Sequence, residues 1–114
     1  SIIEHYIVHI MNNRKKNDDL NILRDIHSNP NVSQRDLSKK IGLSLGKLNY
    51  CLKALKEKGL IKFSNFKKNK NKQKYLYILT PKGVSHKTKL ALNFMKLKMK
   101  EYEELKQEVE QKRK

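Results

Sequence analysis

Residues 33–59 read SQRDLSKKIGLSLGKLNYCLKALKEKG, and this stretch decides the fold. It holds two short apolar-periodic segments with Leu43 alone between the end of one and the start of the next. Ser33 stands where an N-cap hydroxyl accepts from the amide three residues on. Asp36 is a shorter form of the reciprocal capping-box acid, and Val32 and Leu37 sit where the two halves of a hydrophobic staple belong. Gly42 permits the left-handed residue that closes a helix. Leu43, Ser44 and Leu48 repeat the staple and cap. In the second segment Leu48, Cys51, Leu52 and Leu55 form one stripe, and Lys47, Asn49, Tyr50 and Lys53 take the other side. Gly59 follows as a C′ glycine. The pattern predicts helix, tight turn, helix.

Working outward on the C-terminal side, residues 60–66 (LIKFSNF) alternate weakly and residues 75–79 (YLYIL) are rich in β-formers. Lys67 to Lys74 between them is low-complexity and polar, which predicts a flexible loop at the tip of a hairpin. Thr80 and Pro81 form a helix start, with Thr80 as cap and Pro81 at the first position, where a missing amide proton is not needed. After Gly83 no Gly or Pro follows, so the pattern predicts one helix to about Gln111. At 1.5 Å per residue it would be ~45 Å long, more than one small domain can bury. Val84, Thr88, Ala91, Met95, Lys98, Tyr102, Leu105 and Val109 step by fours and threes, and Leu92, Phe94 and Met99 widen the stripe. This is a heptad-like seam, imperfect at Thr88 and Lys98.

On the N-terminal side, Ile2, Ile3, Tyr6, Ile7, Ile10 and Met11 show helical spacing, with a strand as the alternative because the residues are largely β-branched. Asn12 to Asn17 reads as a polar connector. A helix is expected from about Asp18 to Ser28, capped by Asn17 or Asp18, with Leu20, Leu23 and Ile26 or His27 buried and Asn29-Pro30-Asn31 ending it. The expected fold class is mainly α with a small β-hairpin wing, a winged helix-turn-helix domain plus a long C-terminal helix. The expected division is an N-terminal segment at 1–16, the winged domain at 17–80 and the C-terminal helix at 81–114.

The 114 residues suit one domain with a modest core. Formal net charge is +16, from 27 Lys and Arg against 11 Asp and Glu. Between Glu57 and Glu101 there is no acidic residue, while 13 lysines fall in 58–100. The excess therefore sits on the wing and the start of the last helix rather than on a free tail, which favours a polyanionic partner over the competing reading, an anionic membrane surface. One cysteine excludes an intramolecular disulfide. No apolar run reaches the ~18 residues of a membrane span, and the interrupted, acid-containing N-terminus lacks signal-peptide layout. A cytoplasmic, nucleoid-associated chain is expected, with no membrane partner.

Such a device enters the DNA major groove with its second helix. Ser44, Gly46, Lys47, Asn49, Tyr50 and Lys53 are the candidate contacts: Gly46 allows close approach, Asn49 carries the donor–acceptor pair that reads adenine, and Lys47 suits guanine or phosphate. Ser33, Gln34 and Arg35 of the preceding helix are candidate phosphate contacts. Lys67, Lys68, Lys70, Lys72 and Lys74 of the wing suit phosphate neutralisation, since lysine is a point charge without arginine's fork. Thr88, Ala91, Leu92, Met95, Met99, Tyr102, Leu105 and Val109 are candidate dimerisation residues. Cys51 lies on the apolar stripe and reads as core rather than redox sensor. His5 and His9 stand one turn apart without further ligands in sequence, so neither a metal nor any cofactor is expected. No nucleophile–base pattern or phosphate loop is present, which argues against an enzyme. A protein-binding winged-helix adaptor and a nonspecific nucleic-acid-binding module are the alternatives.

The runs SQRDLSKKIG (33–42), LSLGKLNYCLKAL (43–55), KGLIK (58–62), Asn65-Phe66 and LTPKG (79–83) resemble the small MarR-type regulators associated with exopolysaccharide gene clusters, over roughly Leu20 to Glu110. The resemblance implies a dimeric bacterial transcriptional regulator acting on double-stranded DNA at polysaccharide biosynthesis genes. It leaves the operator, the sign of regulation and any small-molecule effector open.

Overall fold

The computed structural model describes residues 1–69 and 72–113, with backbone alone for 64–69, 72–76 and 113. The element order is α1 (Ile2–Ser28), α2 (Gln34–Ile41), α3 (Leu45–Glu57), β1 (Ile61–Asn69), β2 (Lys72–Leu79) and α4 (Pro81–Arg113). The two strands pair antiparallel, from Ile61 opposite Leu79 to Asn69 opposite Lys72, with a register shift between Lys67 and Asn69.

Local chemistry explains most of the boundaries. Ser33 Oγ accepts from the Asp36 amide at 3.1 Å, and Ser44 Oγ accepts from the Lys47 amide at 3.1 Å. Gly42 (φ +81°) and Gly59 (φ +74°) take the left-handed conformation that ends α2 and α3. With the Gly42 and Leu43 amides both bonded to the Ser38 carbonyl, at 2.9 and 3.0 Å, the turn leaves room only for Leu43 before the next cap. Thr80 Oγ1 accepts from the Gly83 amide at 3.0 Å, so Thr80 caps α4 and Pro81 opens it.

Three expectations are corrected. The connector at Asn12–Asn17 is helical, so the sequence from Ile2 to Ser28 is a single helix. Polarity at 12–17 marks a solvent-facing stretch here rather than a break: no Gly or Pro interrupts it, and Arg14, Lys15 and Lys16 are sound helix formers. Asn17 and Asp18 consequently cap nothing; the cap is Ser1, in a reciprocal capping box with Glu4. The loop expected at Lys67–Lys74 is shorter than it reads, because the ladder continues to Asn69 and resumes at Lys72. Paired backbone carries these residues despite their low β-propensity. Of the two alternatives Ile26 and His27, Ile26 is the buried one and His27 is exposed, and Ile22 joins Leu20, Leu23 and Ile26 in the buried face.

The core joins Leu20, Ile22, Leu23 and Ile26 of α1 to Leu37 of α2, Leu48, Cys51, Leu52 and Leu55 of α3, Leu60, Ile61 and Leu90. Ala91 and Phe94 of α4 pack against its edge. α1 and α4 run antiparallel: Lys87 Nζ lies 2.6 Å from His27 Nδ1, and Asn13 and Asn17 border the same crevice as Phe94 and Leu97. Among the described residues one carboxylate, that of Asp19, is buried. Burial pushes Asp19 above its ordinary value of 3.8, against the opposing pull of Lys58, Lys15 and His86.

The start of α4 presses directly on the end of α3. A Cβ at Gly83 would fall inside the Leu60 carbonyl oxygen and lie 2.9 Å from its carbon. Gly83→Ala should therefore cost roughly 2–4 kcal/mol, read by chemical denaturation; a neutral result would show that the contact is looser. Asp19 gives a pH signature. Its raised folded-state pKa means that the proton-bound form favours folding; this contribution is complete below the ordinary aspartate range and is lost as pH rises through the raised value. Asp19→Asn should then stabilise the fold near pH 7 and lose that advantage near about pH 3. An equal effect at both would contradict the burial argument.

Candidate nucleic-acid interface

α3 separates cleanly into two sides. Leu48, Cys51, Leu52 and Leu55 are buried, while Ser44, Gly46, Lys47, Asn49, Tyr50 and Lys53 are all exposed. Tyr50 is 66% exposed, an unusual position for a large aromatic ring. Lys47 Nζ stands 5.9 Å from its ring centroid, which gathers a cation and a π-face on one surface. Leu45, at 41% exposure, joins this face at the first turn of the helix. Sequence reading did not single it out, because nothing in the local pattern marks an apolar residue directly after the cap as facing outward.

Gly46 has an informative environment. A Cβ built there meets nothing within 4 Å. The fold therefore does not require glycine at this position, although glycine weakens a helix by up to about 1 kcal/mol relative to alanine. A surface that must admit another backbone closely has a use for it.

The neighbouring elements frame this face. Ser33 caps α2 and Arg35 is exposed. Gln34, expected as a phosphate contact, reaches instead toward β2: its Nε2 donates to the Tyr77 hydroxyl at 3.5 Å. Tyr77 packs edge-on against Phe63, with centroids 4.9 Å apart and planes at 77°, and Lys56 Nζ lies 5.6 Å from the Phe63 ring. These contacts tie the base of the wing to both helices of the motif. Of the wing lysines, Lys67, Lys68, Lys72 and Lys74 are placed by backbone on β1 and β2, with side chains outside the described atoms. Lys70 lies outside the described residues altogether.

Behind the exposed face, a cleft of about 480 Å³ runs between α1 and α3, bordered by Met11, Lys15, Asp19, Lys47, Tyr50 and Cys51 among others. Cys51 is 7% exposed. Burial raises its thiol above the usual value, the Asp19 carboxylate adds to this, and Lys47 opposes it. A protonated thiol is a poor nucleophile at neutral pH. Among the described residues no three His, Cys, Asp or Glu side chains converge as metal ligands, His5 and His9 included. No described helix is long and apolar enough to cross a membrane.

The candidate dimerisation residues divide. Leu92, Met95, Met99, Tyr102, Leu105 and Val109 are each more than half exposed, whereas Ala91 turns toward the chain's own core. Thr88 is exposed, with its hydroxyl donating to the Val84 carbonyl at 3.1 Å. At the start of α1, Ile2, Ile3, Tyr6, Val8 and Met11 are likewise exposed.

Residues 19–62 match the family model described as winged helix-turn-helix DNA-binding. No curated protein matches the sequence. Among solved structures the chain is similar to Staphylococcus aureus MarR in complex with salicylate and kanamycin, at 27% identity and TM-score 0.58, over 75% of this chain and 56% of that one. It is similar to Lactococcus lactis ZitR, a zinc-responsive MarR family member, at 25% identity and TM-score 0.58, over 77% and 58%. It also matches Streptococcus pneumoniae FabT in complex with DNA, at 22% identity and TM-score 0.54, over 90% and 80%. The chain thus spans little more than half the length of the first two. The fold is a winged helix-turn-helix with a long C-terminal helix, and its structural neighbours are MarR family proteins.

Gly46→Ala separates folding from binding. It should leave stability unchanged or raise it by up to about 1 kcal/mol, while weakening duplex affinity roughly tenfold through the methyl group placed against the DNA backbone. Stability comes from thermal denaturation and affinity from fluorescence anisotropy. Unchanged affinity would mean that the helix start does not approach the duplex.

Proposed function

We propose that this protein is a bacterial transcriptional regulator, not an enzyme, that binds double-stranded DNA sequence-specifically as a homodimer on an inverted repeat. We place it in the cytoplasm on the chromosome, with exopolysaccharide biosynthesis genes as its targets. The observation that carries the reading is the exposed face of α3, where Lys47, Asn49 and Tyr50 stand together on the helix that a winged motif presents to the major groove. Charge supports it: the chain carries +16, with no acid from 58 to 100. So does the matched DNA-binding model and a structural neighbour bound to DNA. The gene targets rest on the sequence resemblance of 33–62 and 79–83.

The roles follow from chemistry. Asn49 offers a paired donor and acceptor to an adenine edge, and Lys47 a cation to guanine or phosphate. Tyr50 and Leu45 suit thymine methyls. Ser44, Gly46 and Lys53 flank them, and Ser33 and Arg35 meet the backbone of the duplex. The wing lysines neutralise neighbouring phosphates, giving affinity without sequence information. The exposed apolar faces at the start of α1 and along α4 are buried by a second copy. A two-fold dimer presents two equivalent α3 helices, and both reach major grooves on one face of DNA when separated by ~34 Å, about one helical turn.

The test is a pair of titrations at fixed salt, on a tight-binding duplex selected from a random pool and on a scrambled one. Asn49→Ala should lose on the order of 1–3 kcal/mol on the selected duplex and much less on the scrambled one. Equal losses on both, or none, would remove Asn49 as a base reader. Comparable affinity of the unaltered protein for both duplexes and for RNA would favour a nonspecific module.

A further inference from the structure

α4 changes sign halfway along. From Pro81 to Lys100 it carries Lys82, Lys87, Lys89, Lys96, Lys98 and Lys100 and no acid. From Glu101 onward Glu101, Glu103, Glu104, Glu108 and Glu110 appear. The uncovered apolar face crosses both halves. With Ala91 and Phe94 turned inward, the exposed seam is Thr88, Leu92, Met95, Met99, Tyr102 and Val109. Its steps are fours and threes, interrupted only by Lys106 at one position.

One flank of this seam is occupied at a strict interval of seven by Lys89, Lys96, Glu103 and Glu110. Each directly follows a seam residue: Thr88, Met95, Tyr102 and Val109. All four are exposed, and none forms an ion pair with another described side chain, unlike Lys98, which lies 3.4 Å from Glu101. Two lysines and then two glutamates thus stand unpaired beside an unpaired apolar stripe.

We propose that α4 packs antiparallel on α4 of a second copy, in the register that sets Lys96 against the partner subunit's Glu103 and Lys89 against the partner subunit's Glu110. The proposal rests on the homodimer reading above and fixes its geometry. In an antiparallel helix pair equivalent flank positions face each other, and a two-fold axis makes every contact reciprocal. Both ion pairs are met by a single axis crossing the helix between Met99 and Lys100, since each lysine stands as far before that point as its glutamate stands after it. The apolar pairs, Leu92 with the partner subunit's Val109 and Met99 with the partner subunit's Tyr102, centre one residue further on, between Lys100 and Glu101, so charge and packing agree on one register to within about 1.5 Å of helix rise. Slipping one heptad either way brings two copies of Lys96, or two copies of Glu103, face to face across the axis. A parallel pair would set Lys96 against the partner subunit's Ala91 and Lys89 against the partner subunit's Val84, leaving both lysines unmatched. Charged flanks that select one alignment and penalise its neighbours are the usual way helix pairs fix orientation.

Cross-linking tests the register in the full chain with Cys51→Ser. Sedimentation first establishes the dimer. Leu92→Cys alone and Val109→Cys alone should give no disulfide-linked dimer on oxidation, while the two together should give one efficiently. Single variants that each cross-link with themselves would establish a parallel pair and overturn the proposal. A dimer in which no combination cross-links would place the interface elsewhere and overturn it equally. A chain that sediments as a monomer at micromolar concentration removes the homodimer reading itself, and the register with it. Charge reversal gives a second readout at exposed positions that leave folding intact. Lys96→Glu should raise the dimer dissociation constant roughly tenfold, and adding Glu103→Lys should return it to within about threefold. A silent Lys96→Glu, or no recovery in the double variant, contradicts the pairing.

Discussion

The Leu60 carbonyl is the point on which the three working parts of the molecule meet. It accepts the Thr80 amide at 3.0 Å and the Thr80 hydroxyl at 3.2 Å, and Gly83 packs against it where a side chain would not fit. The Thr80 hydroxyl also reaches the Gly59 carbonyl at 2.6 Å, and Lys82 Nζ donates to the Lys58 carbonyl at 3.1 Å. The end of α3, both ends of the hairpin and the first turn of α4 are therefore held in one knot of backbone. α3, the hairpin and α4 are thereby joined at one point through backbone and capping contacts.

A second constraint acts through the helix pair. α1 and α4 run antiparallel from the contact of His27 with Lys87 to the crevice that Asn13 and Asn17 share with Phe94 and Leu97, and they share a core that includes Ile22, Leu23 and Leu90. Beyond that core both present apolar side chains outward, from Ile2 to Met11 on one and from Leu92 to Val109 on the other. Because α1 continues without a break from this outer region into the core beneath α3, the proposed dimer surface and the proposed DNA surface share one rigid rod. The cleft bordered by Met11, Lys15, Lys47 and Tyr50 lies between this rod and α3.

Features set by a few adjacent residues were legible in the sequence. The caps at Ser33, Ser44 and Thr80, the glycine stops at 42 and 59, and the inward stripe of α3 all follow from side-chain chemistry within one or two turns. The polar face of α3 was legible for the same reason, since an amphipathic helix declares both its sides. What escaped depends on contacts distant in sequence. The polar run at 12–17 resembles a connector until the helix is seen to need no buried face there. Ala91 and Phe94 look like seam residues until Leu90 shows which side of α4 meets the core. Gln34 reads as a free polar side chain because its partner, Tyr77, is 43 residues away. The close approach that makes Gly83 obligatory has no local signature, since its neighbour is the backbone of Leu60.

The central claim is that two symmetry-related copies of α3 read DNA sequence. The most direct measurement is selection by the full-length protein from a pool of random double-stranded DNA, followed by sequencing of the bound fraction. The account predicts convergence on a pseudo-palindrome whose half-site centres lie ~10 bp apart or a multiple of it, bound roughly a thousandfold or more above bulk sequence. Enrichment of a single asymmetric site, or no enriched motif despite tight binding, would contradict it.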